Sequence, residues 1–106
     1  MSTYWLVLLI AVFTEIVWAL SLKYVQHHPS VWAIGGSVAL SFLNMALLSF
    51  AMRGLPAGTA YAIWTGLGAI GVGIGGALWF GDPITLPRIA CMGLIVLGVV
   101  GMKLST

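Results

Sequence analysis

Charge is nearly missing from this chain of 106 residues: Lys and Arg number four, Asp and Glu two, and the charged fraction is 6%. A soluble domain carries about a quarter charged residues. With 61% hydrophobic residues and a mean hydropathy of +1.14, the composition excludes a water-soluble globule and leaves no basic surface for a nucleic-acid partner. Cysteine is just as scarce. Cys91 stands alone, which rules out an intramolecular disulfide, and its apolar surroundings predict a packed thiol. His27 and His28 sit together without a third ligand nearby, so they read as a solvated loop pair and no metal site is expected. Long polar segments are missing too, which excludes a soluble domain or a low-complexity tail.

What remains is four apolar stretches, each close to the roughly 20 residues that a bilayer-spanning helix needs. They predict an all-α integral membrane protein, one four-helix domain over residues 1–106, with helices near 3–23, 31–52, 57–80 and 86–104. All four prolines, Pro29, Pro56, Pro83 and Pro87, fall in or beside the short connections, where a missing N–H and a fixed φ interfere least. The first stretch starts at Tyr4 without a basic n-region, and no small-x-small cleavage site follows Leu20. It reads as a retained helix rather than a signal peptide.

Four spans put Arg53 and Lys103 on one side of the bilayer and Lys23 and Arg88 on the other. Orientation follows an excess of Lys and Arg in short loops, so a tie predicts weak orientation and insertion in both directions. The alternative is a chance tie, tipped by His27, His28 or Asp82. Four helices of this length bury too little to enclose and gate a substrate cavity alone, which points to an oligomer. If both orientations coexist, an antiparallel pair has the inverted symmetry that larger transporters build within one chain.

One of the two acids, Glu15, lies about twelve residues into the first helix, near the bilayer centre at 1.5 Å per residue. A central ionised residue costs about 2.5–3.5 kcal/mol to insert and normally faces the bundle interior, marking an ion or proton route. The alternative is a neutral, hydrogen-bonded structural Glu. Trp18 stands one turn further on, and on the third helix Tyr61, Trp64 and Gly68 share a face. Tyr and Trp line cation sites with their π faces, and their O–H and N–H groups hydrogen-bond carboxylates. Core packing would account for one such aromatic; three grouped with a lone acid favour a site.

On the second helix Ser37, Ser41, Asn44 and Leu48 recur at i, i+4, i+7 and i+11. This stripe faces protein or water rather than lipid, and the Asn44 amide is expensive to leave unpaired. Gly66 to Gly71 matches GxGxxG literally but follows no strand and lies within a transmembrane helix, so the dinucleotide reading fails. Gly68 and Gly71, with Gly73, Gly75 and Gly76 beyond, permit close backbone approach or serve as a hinge.

The stretches EIVWALSLKY, LPAGTAYAIWTGLGAIG and GLIVLGVVGMK resemble the small multidrug resistance family over the whole chain, and in particular its guanidinium exporter subtype. Trp18 and Thr65 favour that subtype over the multidrug one. The resemblance implies a dual-topology antiparallel dimer in the bacterial inner membrane, a transporter rather than an enzyme, with no cofactor. It further implies that Glu15 binds proton or substrate, that Trp18, Tyr61 and Trp64 surround it, and that Gly93 and Gly98 belong to the dimer-forming helix. Two positions depart from the family pattern. Asn44 stands where the subtype has a serine that bonds the glutamate, and Val12 where it has glycine. An amide both donates and accepts, which extends the expected substrates from guanidinium to substituted guanidinium cations such as guanylurea.

The departures also fit one half of a heterodimer with a paralogue. A polyspecific exporter of quaternary ammonium and other lipophilic cations is the neighbouring alternative. From other classes come a small ion channel, which would tolerate Glu15→Gln, and a structural subunit of a larger complex, which would be inactive alone.

Overall fold

The structure, a computed structural model, describes residues 2–105. Four helices fill it: α1 Thr3–His27, α2 Val31–Ala51, α3 Ala57–Phe80 and α4 Leu86–Leu104. All four are long and apolar enough to cross a membrane. Their starts are set by side chains that satisfy otherwise unpaired N–H groups. Ser2 accepts from the Trp5 N–H, Ser30 from Ala33 and Thr85 from Arg88. α3 ends where Gly81 turns into the left-handed region at φ 69°. There the Asp82 N–H reaches back to the Gly76 carbonyl at 3.2 Å, the pattern of a glycine C-cap, and Pro83 prevents resumption.

α1 runs a full turn beyond residue 23. The expected end near residue 23 falls short because no helix breaker occurs before Pro29, and the added turn is anchored on α3. The Lys23 ammonium pairs with Asp82 and lies 5.3 Å from the centre of the Phe80 ring. The His27 ring stacks on Phe80 at 5.9 Å, and His28 on Tyr24 at 4.6 Å. His27 thus closes a helix rather than sitting in a loop, although both imidazoles are exposed.

α1 is central, with α2 on one flank and α3 on the other. Among the described residues the backbone of α4 approaches only that of α3. The apolar core gathers at the end of the bundle holding Arg53 and Lys103. Leu8 of α1, Ala51 of α2, Leu55 of the connection and Ala60 and Ile63 of α3 are buried there. Lys103 caps this end by placing its ammonium 4.1 Å from the centre of the Trp5 ring. Lys23, Asp82 and Arg88 lie at the opposite end, around the α3–α4 connection.

A row of glycines brings α1 and α3 together. A Cβ at Gly68 would meet the Glu15 side chain at 2.9 Å, one at Gly71 would overlap Ile16, and one at Gly75 would meet Leu20 at 2.7 Å. Spaced i, i+3, i+7, they form one face, and the space they leave is taken by α1 side chains. α3 passes through them as a continuous helix. α4 shows the reverse. Met92, Ile95, Val99 and Met102 are half-buried toward α3 or the core, whereas no α4 residue is fully buried. Cys91 lies exposed on this helix, contrary to the packed thiol expected, because a single chain places nothing over that side of α4.

Candidate functional site

Between α3 and α4 the bundle opens into a cleft of about 1060 Å³. Its walls include Tyr61, Trp64, Thr65 and Gly68 of α3 and Cys91, Met92 and Ile95 of α4, and Glu15 of α1 also lines it. Asp82 and Arg88 line its far end, so both acids of the chain touch the same space. They differ in company. Asp82 is paired with Lys23, the one ion pair among the described residues, whereas Glu15 has no basic partner. A carboxylate without a cation, inside a membrane span, is left with room for a mobile one.

The polar side chains around Glu15 come from α1 and α2. The Asn44 amide is almost fully buried and donates Nδ2–H to Glu15 Oε2 at 3.3 Å. Its carbonyl oxygen accepts from the Thr14 hydroxyl. One helical repeat further, the Ser21 and Ser37 hydroxyls are hydrogen-bonded to each other. The stripe on α2 therefore faces α1, with Ser41 half-buried between the bonded positions and Leu48 packed against the core.

The aromatic residues divide. Tyr61 and Trp64 line the cleft beside Glu15, their ring centres 5.5 Å apart and tilted by 44°. The Trp64 indole N–H does not reach the carboxylate; it donates to the Ala11 carbonyl at 3.2 Å. That bond ties the aromatic wall to the turn of α1 that precedes Glu15. Trp18 is half-buried and is not among the residues lining the cleft. Its indole starts a turn beyond Glu15 on α1, while the cleft reaches α1 only at Glu15.

Gly68 lies directly against Glu15, and any side chain there would press on the carboxylate arm. Gly93 and Gly98 of α4 have no atom within 4 Å of where a Cβ would stand, so their side of the helix is free in the single chain. No group of three His, Cys, Asp or Glu residues suited to a metal ion occurs among the described residues. The residue that sequence reasoning missed is Thr14. Its signal was present as a pair of hydroxyls seven apart, Thr14 and Ser21, matching Asn44 and Ser37 seven apart on α2.

Four apolar helices, three of which line a cleft that holds an intramembrane acid without a basic partner, define a small multi-pass membrane protein. The sequence profile of the Small Multidrug Resistance protein family matches residues 3–95, and the chain belongs to that family. It is a multi-pass protein of the bacterial inner membrane. Among its curated relatives is the guanidinium exporter of Citrobacter freundii, 47% identical over 96% of this chain and 97% of the relative. The guanidinium exporter of Escherichia coli strain K12 is 45% identical over the same shares.

Proposed function

We propose that this protein exports guanidinium-type cations in exchange for protons, the two guests competing for Glu15. The observation that carries the reading is a cleft-lining carboxylate with a buried amide donor on one oxygen and no basic partner. Relatives named as guanidinium exporters support the choice of cation. Guanidinium stays protonated at any physiological pH, is weakly hydrated, and meets a carboxylate through a planar fork of N–H donors. Tyr61 and Trp64 supply π faces for the same flat cation. If one acid holds either guest but not both, and access switches only when it is loaded, inward proton flow drives outward cation flow. The test is flux in proteoliposomes containing this chain alone, with an imposed pH gradient and guanidinium on one side. Absence of proton-coupled uptake by the wild type would overturn the reading.

The working unit in this proposal is an antiparallel dimer of two copies inserted in opposite orientations. The uncovered side of α4 with Gly93 and Gly98, and the α4 residues that wall the cleft, support a partner at that helix. The even division of Lys and Arg between the two ends supports dual insertion. A topology reporter fused after Thr106 is expected to give signal on both sides of the membrane. Signal on one side alone would leave a parallel pair or a heterodimer with a paralogue.

Asn44 widens the proposed substrate range. Its N–H₂ group touches the oxygen on which a cation would dock, and a carbonyl-bearing cation such as guanylurea can accept from that amide. Asn44→Ser should lower guanylurea transport relative to guanidinium by about fivefold, the worth of one hydrogen bond near 1 kcal/mol. An unchanged ratio of the two initial rates would remove guanylurea from the proposal.

A further inference from the structure

The hydroxyl of Thr14 stands within reach of two acceptors. One is the Ala11 carbonyl of its own helix at 2.9 Å, the other the carbonyl oxygen of the Asn44 amide. A hydroxyl carries a single proton, so it serves one acceptor at a time, and the choice dictates how the amide is turned. When Thr14 donates to Asn44 Oδ1, the amide presents N–H to Glu15, as observed at 3.3 Å. When Thr14 donates to Ala11 instead, its lone pairs face Asn44 and favour the flipped amide, whose carbonyl would then meet Glu15. That face suits only a protonated acid, since a carboxylate has no proton to give.

The geometry points to Thr14 as a positioning residue that turns the Asn44 amide to suit the occupancy of Glu15. This inference rests on the proposal that Glu15 is where the cation binds. Thr14 does not line the cleft and touches the carboxyl group only through Asn44. Two arrangements of the same three side chains leave the Thr14 hydroxyl, the Asn44 carbonyl oxygen and the Asn44 nitrogen each with a partner. In the first, hydroxyl to amide carbonyl and amide N–H to carboxylate, the ionised acid is held open for a cation. In the second, acid O–H to amide carbonyl, amide N–H to hydroxyl, and hydroxyl to Ala11, the protonated acid is held closed. Neither arrangement leaves a buried polar group unpaired, so exchanging guests does not strand one.

The experiment is a double-mutant cycle on guanidinium transport at one fixed pH, reading KM and maximal rate separately. Thr14→Val removes the hydroxyl and keeps the shape, freeing the amide to oppose its carbonyl to the carboxylate. KM should rise about fivefold, one hydrogen bond's worth, while the maximal rate changes less than KM. Thr14→Ser should restore a wild-type KM. In an Asn44→Ala background the same Thr14→Val change should have no further effect, because the group that transmits it is gone. Thr14→Ala is carried in parallel, so that poor folding of one variant does not decide the outcome.

An unchanged KM in Thr14→Val and Thr14→Ala, a failure of serine to rescue, or an equal penalty without Asn44 would each overturn the inference. In those cases the wild type still transports guanidinium and the proposed function stands. A wild type without saturable guanidinium transport would overturn both.

Discussion

Glu15→Gln will abolish proton-coupled guanidinium flux, with a fall of ~100-fold or more in initial rate at subsaturating substrate. Gln keeps the length and the hydrogen-bonding end of the side chain, and Asn44 can still pair with it, so the loss isolates charge. Two unit charges 4 Å apart at an effective dielectric of 20 attract by ~4 kcal/mol. Charge-assisted hydrogen bonds are worth about 1.5–3 kcal/mol each, and a planar fork makes two. Either figure exceeds the ~2.7 kcal/mol that corresponds to a hundredfold change in affinity. The second loss has no partial form: an amide cannot deliver a proton, so any cation that still crosses does so uncoupled. Purified wild type and variant in the same liposomes, at two pH values, separate the outcomes. Continued guanidinium current without proton movement in the variant would mark a channel. Undiminished coupled exchange would end the proposal that Glu15 is the shared site. Substituting a tetraalkylammonium ion for guanidinium in the wild type distinguishes a narrow exporter from a polyspecific one, because a quaternary nitrogen has no N–H to fork onto the carboxylate.

The four spans and the central acid were legible because both follow from one-dimensional rules. Apolar length determines what can cross a bilayer, and a carboxylate is expensive anywhere along that length. The stripe on α2 was legible for a similar reason, since helical periodicity carries Ser37 and Asn44 to one face. Its target was not read, although the two sequences contain it. Thr14 and Ser21 on α1 are separated by seven residues, as are Ser37 and Asn44 on α2. Antiparallel helices joined by a short turn bring such pairs into register, Thr14 to Asn44 and Ser21 to Ser37. Trp18 stands away from the cleft of the single chain. Its spacing from Glu15 is right for a shared face, but a helix face spans more than one neighbour. The cleft meets α1 at Glu15 without extending to Trp18. The Trp64 indole bond to the Ala11 carbonyl was out of reach because backbone acceptors carry no signature in the sequence.

Gly71→Leu will destabilise the fold by about 2 kcal/mol, an effect that arises where two opposing terms meet. Leu is the better helix former by close to 1 kcal/mol, so on propensity alone the variant should gain. Against this, a Cβ at Gly71 falls on Cδ1 and Cγ1 of Ile16. The first is the free end of a flexible chain, but the second is fixed close to the α1 backbone, so Ile16 cannot clear the space by rotating its tip. Overpacking of this kind costs typically 1–3 kcal/mol, and the remaining atoms of Leu add to it. Gly36→Ala provides the contrast, since nothing lies within 4 Å of that position; there the propensity gain should appear unopposed. Thermal unfolding of the purified proteins in one detergent should therefore rank Gly36→Ala above wild type and Gly71→Leu well below it. The partner is identified by a size exchange: Ile16→Ala combined with Gly71→Leu should recover most of the loss. A stable Gly71→Leu protein would mean that α1 and α3 do not approach as closely as described, and an unrescued one that the contact is not with Ile16. The same variants separate close packing from the proposed hinge at Gly68 and Gly71. A packing glycine lowers stability and leaves the rate per folded molecule near wild type in the rescued pair. A hinge glycine gives a slow transporter even after stability has been restored, because Leu stiffens the helix that has to bend.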